Sequence, residues 1–275
     1  MIAGVRQFKL INALGREYDM TRPDALLHAP DGLGWGTEAT VNRLGMTYIG
    51  INEKEIHQSP SGEMVFRTYE EYGRFLSFCQ QGGLVLCYKP LETWYYCEAL
   101  ISIQKSEIQW ENNHLICPVQ FTLLSYWYEK VVAQTAGNVE SENKKQYSYT
   151  YSYQYGSGAL NVFDITCDLP SYFKLTVFGE ATNPSWRVVQ NGSIVKSGKL
   201  NATIGSSQKL VINTDPKATE IALYTLSNTR INNLYGYSDF ATERIFALPQ
   251  GESQLQVLTE DEQSPKVMIE VLKHV

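Results

Sequence analysis

The sequence contains no apolar run near the ~18–20 residues that a membrane-spanning helix requires. Its longest clean runs, such as Leu84–Tyr88, are strand-sized, and no membrane insertion is expected. The opening MIAGVRQFKLINALGREYD lacks the long apolar stretch and small-residue cleavage site of a secretory signal. Synthesis and folding in a cytoplasm are therefore expected. Cysteine is scarce and unpatterned: Cys79, Cys87, Cys97, Cys117 and Cys167 are an odd set with no C-x-x-C. They read as buried, reduced thiols rather than a disulfide framework. The sequons at Asn191 and Asn201 then read as turn residues. Basic charge is short as well, with 23 Lys and Arg against 29 Asp and Glu, net −6. Residues 1–135 hold 11 basic and 15 acidic side chains (−4), and residues 136–275 hold 12 and 14 (−2). Neither half supplies the basic face of a general nucleic-acid-binding surface.

Catalytic vocabulary is equally thin. The four histidines, His28, His57, His114 and His274, lie in no recognisable motif, and each reads as a surface or packing residue. There is no G-x-S-x-G elbow and no H-E-x-x-H. The stretch Gly32-Leu-Gly-Trp-Gly36 lacks the Lys-Ser/Thr of a phosphate loop and does not fit G-x-G-x-x-G. Glu70 and Glu71 open a helix, where capping and the helix dipole account for them. The other acids are scattered, so no glycosidase pair stands out. No catalytic, cofactor-binding or metal-ligating residue is assigned, and no cofactor is implied.

What is present is a chain of 275 residues, enough for two domains of about 100–150 each. Hydrophobic residues make up 43% and charged residues 19%, which argues for packed domains and against disorder. Tyrosine is overused, with 18 Tyr beside 10 Phe and 5 Trp, a composition suited to β-structure and to contact surfaces. Residues 5–12 read as a strand and 15–50 as irregular and glycine-rich, with a short strand at Thr47–Ile51. Thr68 with Glu71 forms a capping-box pattern. Tyr72, Phe75, Leu76 and Cys79 follow at i, i+3, i+4, i+7, predicting a helix that ends at Gly82-Gly83. Strands are expected at 84–89, 92–104 and 115–129, with Pro118 marking a bulge or an edge. The apolar pattern fades over 131–145, which places the boundary between domains 1–135 and 136–275.

Beyond it, short strands recur about every ten residues: 147–155, 160–167, 172–178, 185–190, 193–200, 208–213, 219–225, 243–248, 253–259 and 266–272. Asn191-Gly192 is the strongest hairpin signal among them. The pattern predicts an antiparallel β-sandwich. Tyr147, Tyr149, Tyr151, Tyr153 and Tyr155 alternate, so an extended strand puts all five rings on one face. That face either packs within the protein or forms an aromatic platform for sugar rings or a partner. Trp186 is a second place where a saccharide could sit. Leu26–Thr47 is too long for an ordinary connection and carries apolar residues between glycines. It reads either as a loop folded on its own domain or as an arm reaching a neighbouring copy. The candidate interface residues are Leu27, Leu33, Trp35, Val41 and Leu44, with Trp35 as the anchor.

Several segments, in order, resemble the distal tail protein of long-tailed siphovirus-type bacteriophages and prophages. Phe8–Thr21 is similar to that family's opening strand and turn, and Leu27–Trp35 to its P-x-G-L-G segment. Tyr151–Gly158 is similar to its tyrosine-rich entry to a second domain. Phe178–Ser185, Leu200–Gly205 and Leu248–Ser253 resemble Y-G-x-x-T-N-P, L-N-x-x-x-G and L-P-x-G-x-x. The resemblance implies a mainly β fold: an α+β N-terminal tail-tube-like β-domain with one helix, then a galectin-like antiparallel β-sandwich. It implies a non-enzymatic part of the virion tail tip, made in the bacterial host cytoplasm. It also implies a homo-hexameric ring that joins the tail tube protein to tail-associated or baseplate proteins and lets DNA pass without specific binding. The chain lacks the long insertions that serve host recognition in some relatives. A carbohydrate-binding module remains the alternative.

Overall fold

The computed structural model describes residues 6–34, 36–55, 58–104, 110–111, 114–135, 160–261 and 264–275. The chain forms two units, Met1–Tyr128 and Glu129–Val275. In the first, the elements are β1 (Gln7–Ile11), β2 (Glu17–Asp19), β3 (Thr21–Arg22), β4 (Ala25–Asp31), β5 (Thr37–Leu44), β6 (Thr47–Glu55), β7 (Ser61–Phe66), α1 (Tyr69–Cys79), β8 (Val85–Lys89), β9 (Tyr95–Ile103), β10 (Trp110–Glu111) and β11 (His114–Leu123). Eight of these strands pair antiparallel in the order β2-β1-β8-β9-β11-β7-β4-β3. The first and last strands of that order are neighbours in sequence, separated only by Met20. The Met20 N–H donates to the Phe8 carbonyl at 2.9 Å, and the Leu27 N–H donates to the Met20 carbonyl at 2.8 Å. The sheet therefore curls until its two ends meet at one residue.

Alternation fills the inside. On β11, Leu115, Cys117, Val119, Phe121 and Leu123 all point inward. The helix forms where the spacing predicts it: the Thr68 hydroxyl accepts the Glu71 N–H at 3.1 Å, and Tyr72 and Phe75 bury their rings. Phe75 meets Tyr18 at 5.0 Å and Phe66 at 5.4 Å between ring centroids, so α1 closes the same core. Pro118 is tolerated for a local reason. Its carbonyl accepts the Gln104 N–H at 2.9 Å, just past the end of β9. The ring nitrogen shares that side of the strand, so the one donor bond it forgoes falls beyond the end of β9, while the pairing with β7 runs through it without a break.

The second unit contains β12 (Tyr128–Gln134), β13 (Leu160–Cys167), β14 (Tyr172–Phe178), β15 (Ala181–Thr182), β16 (Ser185–Gln190), β17 (Ser193–Lys199), β18 (Thr203–Ile204), β19 (Gln208–Asn213), β20 (Glu220–Thr225), β21 (Arg230–Asn233), β22 (Gly251–Leu258) and β23 (Lys266–His274). One sheet runs β13-β22-β16-β17 and the other β21-β20-β19-β14-β23-β12. Phe163, Trp186, Val188, Leu255 and Val257 from the first share one core with Phe173, Leu175, Leu210, Ile212, Ile221 and Ile269 from the second. This is an antiparallel β-sandwich. Asn191 and Gly192 both take positive φ, 51° and 76°, the type I′ geometry that joins β16 to β17.

Three expectations are corrected. Residues 15–46 are not irregular but hold β2 to β5, and the strand expected at Thr47–Ile51 is the first part of β6. Segment 243–248 is not a strand but an irregular plug, with Phe246 and Leu248 buried in the sandwich core. The units divide between Tyr128 and Glu129, after the first residue of β12, rather than at 135/136: β12 pairs with β23, and Thr135 and Val267 exchange hydrogen bonds. The tyrosines at 147–155 lie outside the described residues. Among the described residues, no helix is long and apolar enough to cross a membrane.

Trp186 is 0% exposed and stands opposite Gly198 in the ladder. A Cβ on Gly198 would sit 2.5 Å from Trp186 Cε2 and Cζ2, inside any real contact. Gly198→Ala is therefore expected to destabilise the protein by about 1–3 kcal/mol through overpacking. Gly73→Ala, on α1 with nothing within 4 Å of the added carbon, is expected to stabilise it by about 0.5–1 kcal/mol. Urea midpoints of the two variants should move in opposite directions. A silent Gly198→Ala would refute the packing account.

Candidate assembly surface

Strands β5 and β6 pair only with each other among the described residues. They form a hairpin closed by a two-residue turn, Gly45-Met46, with Leu44 opposite Thr47. At about 3.4 Å per residue, an eight-residue strand carries the tip about 27 Å from the root. The root is fixed to the first unit, where Asp31 pairs with Ser61 and the Pro60 carbonyl accepts the Phe121 N–H at 2.7 Å. Along the arm, Lys54 meets Glu38 at 2.6 Å and the Arg43 Nε donates to the Gly45 carbonyl at 2.9 Å.

Every β5 side chain is exposed, and the apolar ones fall on both faces. Val41 and Tyr48 share one face with Arg43. Leu44, Ile49 and Ile51 share the other with Asn42 and Thr40. Met46 at the tip is 92% exposed. A lone two-stranded hairpin is marginal in water, and one with large apolar groups on both sides calls for a partner.

The sequence-stated interface residues divide three ways. Val41 and Leu44 are on the arm and exposed. Leu27 is buried in the first unit's own core, which removes it from an accessible interface, and Leu33 is half-buried against that core. Trp35 lies outside the described residues. Met46 lies within the expected Leu26–Thr47 stretch, while Tyr48, Ile49 and Ile51, exposed on the same hairpin, lie beyond it. Their signal was the glycine turn at Gly45 with apolar residues on both sides. Trp186, considered as a saccharide platform, is corrected: it is wholly buried in the sandwich.

Among the described residues, no three His, Cys, Asp or Glu side chains gather where they could hold a metal. His28 is exposed, 3.5 Å from Glu63, and the His274 Nδ1 lies 3.0 Å from the Pro170 carbonyl. His57 lies outside the described residues. None of the five cysteines is in a disulfide, and burial pushes the Cys79 thiol up to about 12. Among the described residues, the one buried acid with several charged partners is Glu71. It accepts from the Tyr18 hydroxyl at 2.8 Å, from Arg22 at 2.7 Å and from Arg74 at 3.2 Å. Burial raises its pKa, but the bonds from Tyr18 and Arg22 and the charges of Arg22 and Arg74 outweigh this and hold it below the usual glutamate value.

Residues 7–124 match the family model described as the distal tail protein N-terminal domain. The chain carries a distal tail protein N-terminal domain. Helix α1, the curled sheet and the β5–β6 arm all lie inside that domain. The fold also has counterparts over nearly the whole chain. A chain in the structure of the phage p2 baseplate in its activated conformation with strontium has a TM-score of 0.67, at 16% identity, covering 98% of this chain and 98% of that one. The Dit protein of phage SPP1, described as a paradigm of hub adsorption apparatus in Gram-positive-infecting phages, gives 0.54 at 12% identity, covering 98% and 99%. At these identities the likeness speaks for the fold. No curated protein matches the chain.

The Glu71 cluster sets a pH dependence for this domain. Its folded pKa is depressed, so its stabilisation is present above the ordinary glutamate value and is lost as pH falls through the lower folded value. Glu71→Gln is expected to cost about 1–3 kcal/mol at pH 7, since hydrogen bonds to a charged group are lost. The difference from the parent protein should shrink in urea titrations at pH 3. An equal deficit at both pH values would mean that charge is not what Glu71 contributes.

Proposed function

We propose that this protein is a structural hub of a phage tail tip. Copies assemble as a homo-hexameric ring that joins the tail tube to tail-associated or baseplate proteins, with a channel through which DNA passes unbound. The observation that carries this reading is the β5–β6 arm: a fixed root, a reach of about 27 Å, and apolar side chains on both faces with no use inside their own unit. Head-to-tail contacts in which each copy's arm is covered by the next close into a ring when the rotation fits. The distal tail protein domain supports the tail-tip assignment. The likeness to hub and baseplate structures supports a non-enzymatic role. On this reading the protein is made in the host cytoplasm and ends in the virion.

Two outcomes are expected. The double variant Leu44→Asp, Met46→Asp should lower the hexamer fraction in mass photometry and abolish six-fold rings in electron micrographs. Its monomer should melt within about 1 °C of the parent, because exposed substitutions rarely alter stability. Unchanged assembly would remove the arm from the interface. Duplex DNA should bind no tighter than about micromolar at physiological salt, given a net charge of −6 without a basic half. Tight, salt-sensitive binding would contradict a passive channel.

A further inference from the structure

The outer face of the second unit's larger sheet carries one line of side chains that crosses five strands. Phe178 on β14 stands opposite Lys266 on β23 and opposite Lys209 on β19. Lys209 in turn faces Tyr224 on β20, and Tyr224 faces Arg230 on β21. Val177, Leu210, Leu223 and Val267, next to four of these in sequence, point into the sandwich core, so the line lies on the opposite face. It reads cation, aromatic, cation, aromatic, cation. With adjacent strands about 4.8 Å apart, it runs about 19 Å across the sheet.

The rings organise the charges. The Nζ atoms of Lys266 and Lys209 lie 5.2 and 5.7 Å from the Phe178 centroid, one arriving from each flanking strand. Cation–π attraction holds both ammonium groups beside that ring. Lys209 also donates to the Asn228 side-chain oxygen, and the Tyr224 hydroxyl donates to Glu220 at 2.9 Å. Lys266, Lys209 and Arg230 have no ion pair among the described residues. Four other lysines of the unit differ: Lys174 pairs with Glu270 at 3.3 Å, Lys196 with Glu243 at 2.5 Å, Lys199 with Glu260 at 3.4 Å and Lys273 with Asp168 at 3.3 Å. In a chain of net charge −6, three cations in one line without a carboxylate make a local positive stripe.

We propose that this stripe is a docking surface for an acidic polypeptide segment of a partner protein. Charge complementarity carries the proposal. Carboxylates supply the counter-charge that Lys266, Lys209 and Arg230 lack, and the Arg230 guanidinium can give one of them two parallel charge-assisted bonds. Phe178 speaks against single-stranded nucleic acid, the other polyanion. Such binding relies on bases stacking on open rings, and ammonium groups occupy both flanks of this one. Duplex nucleic acid calls for more phosphate contacts than three cations make, on a chain that is acidic as a whole. The stripe lies within one unit and needs no ring, so its failure would leave the assembly proposal untouched.

The test is fluorescence anisotropy of the full-length protein with labelled poly-L-glutamate and with oligothymidylate of equal charge. Poly-L-glutamate is expected to bind, more tightly than oligothymidylate, and to weaken as salt is added. The double variant Lys266→Gln, Arg230→Gln should weaken that binding about ten-fold or more, because charged contacts at the surface are lost. The control Lys174→Gln, Lys196→Gln removes as much charge from cations that are already paired, and should leave binding within about two-fold. Thermal melts should match the parent, since exposed substitutions rarely alter stability. If the first double variant misfolds, Lys266→Gln alone decides, with a loss of about three-fold expected. No binding of poly-L-glutamate, binding of oligothymidylate that is as tight or tighter, or a loss no greater in the stripe variant than in the control would each overturn the proposal.

Discussion

The constraint on which the rest depends is that the apolar side chains of the β5–β6 arm have no place in the unit that carries them. The first unit's core is already closed: the sheet meets its own end at Met20, and α1 plugs what remains with Tyr72 and Phe75. Val41, Tyr48, Leu44, Ile49 and Ile51 are thus left in water on two opposite faces. Burying only one face on the parent domain would have been the simpler solution for a monomer. Exposure on both is what the proposed assembly would cover.

An arm can carry assembly only if its root does not yield. The root here leaves β4 and returns into β7, two adjacent strands of the curled sheet. Behind them the Glu71 cluster ties α1 to the strand ends: Tyr18 comes from β2, Arg22 from β3, and Glu71 and Arg74 from the helix. These are the residues that flank the closure at Met20. One buried carboxylate with three partners therefore locks the helix onto the seam where the sheet's two ends join. A buried acid so fully satisfied stabilises its surroundings instead of serving as a reactive group.

What could be read from sequence follows from how local the determining physics is. Helix α1 was legible because cap, period and terminator lie within a few turns of one another. The β16–β17 hairpin was legible because Asn191-Gly192 dictates its own φ angles. The arm was legible only in part: the strand expected at Thr47–Ile51 is the first part of β6, while β5 was missed. Alternation betrays a strand only when one face is buried, and here neither is. Segment 243–248 misled for the reverse reason: Ile245, Phe246 and Leu248 look like a strand, yet they pack as an irregular plug. The role of Glu71 was invisible because its partners Tyr18 and Arg22 lie 53 and 49 residues away. Leu27 was misassigned to an interface because apolar spacing does not tell an inward strand residue from an outward one when the register is unknown.

The second unit shows how one residue class serves two ends. Trp186 is enclosed so tightly that its ladder partner can be nothing but glycine. The indole gives up a hydrogen bond there, since its Nε1 is buried with no acceptor. That loss is tolerated because burying so large a ring returns more than one unmade bond removes. Tyr235 and Phe240 sit in the same unit, on a loop that begins right after a core anchor, Leu234. The fold that encloses Trp186 completely could have folded these rings inward as it did Phe246. It bonds the loop's backbone to Lys199 and Asn201 instead, which fixes the rings outward. Their exposure is therefore a property of how the loop's backbone is bonded.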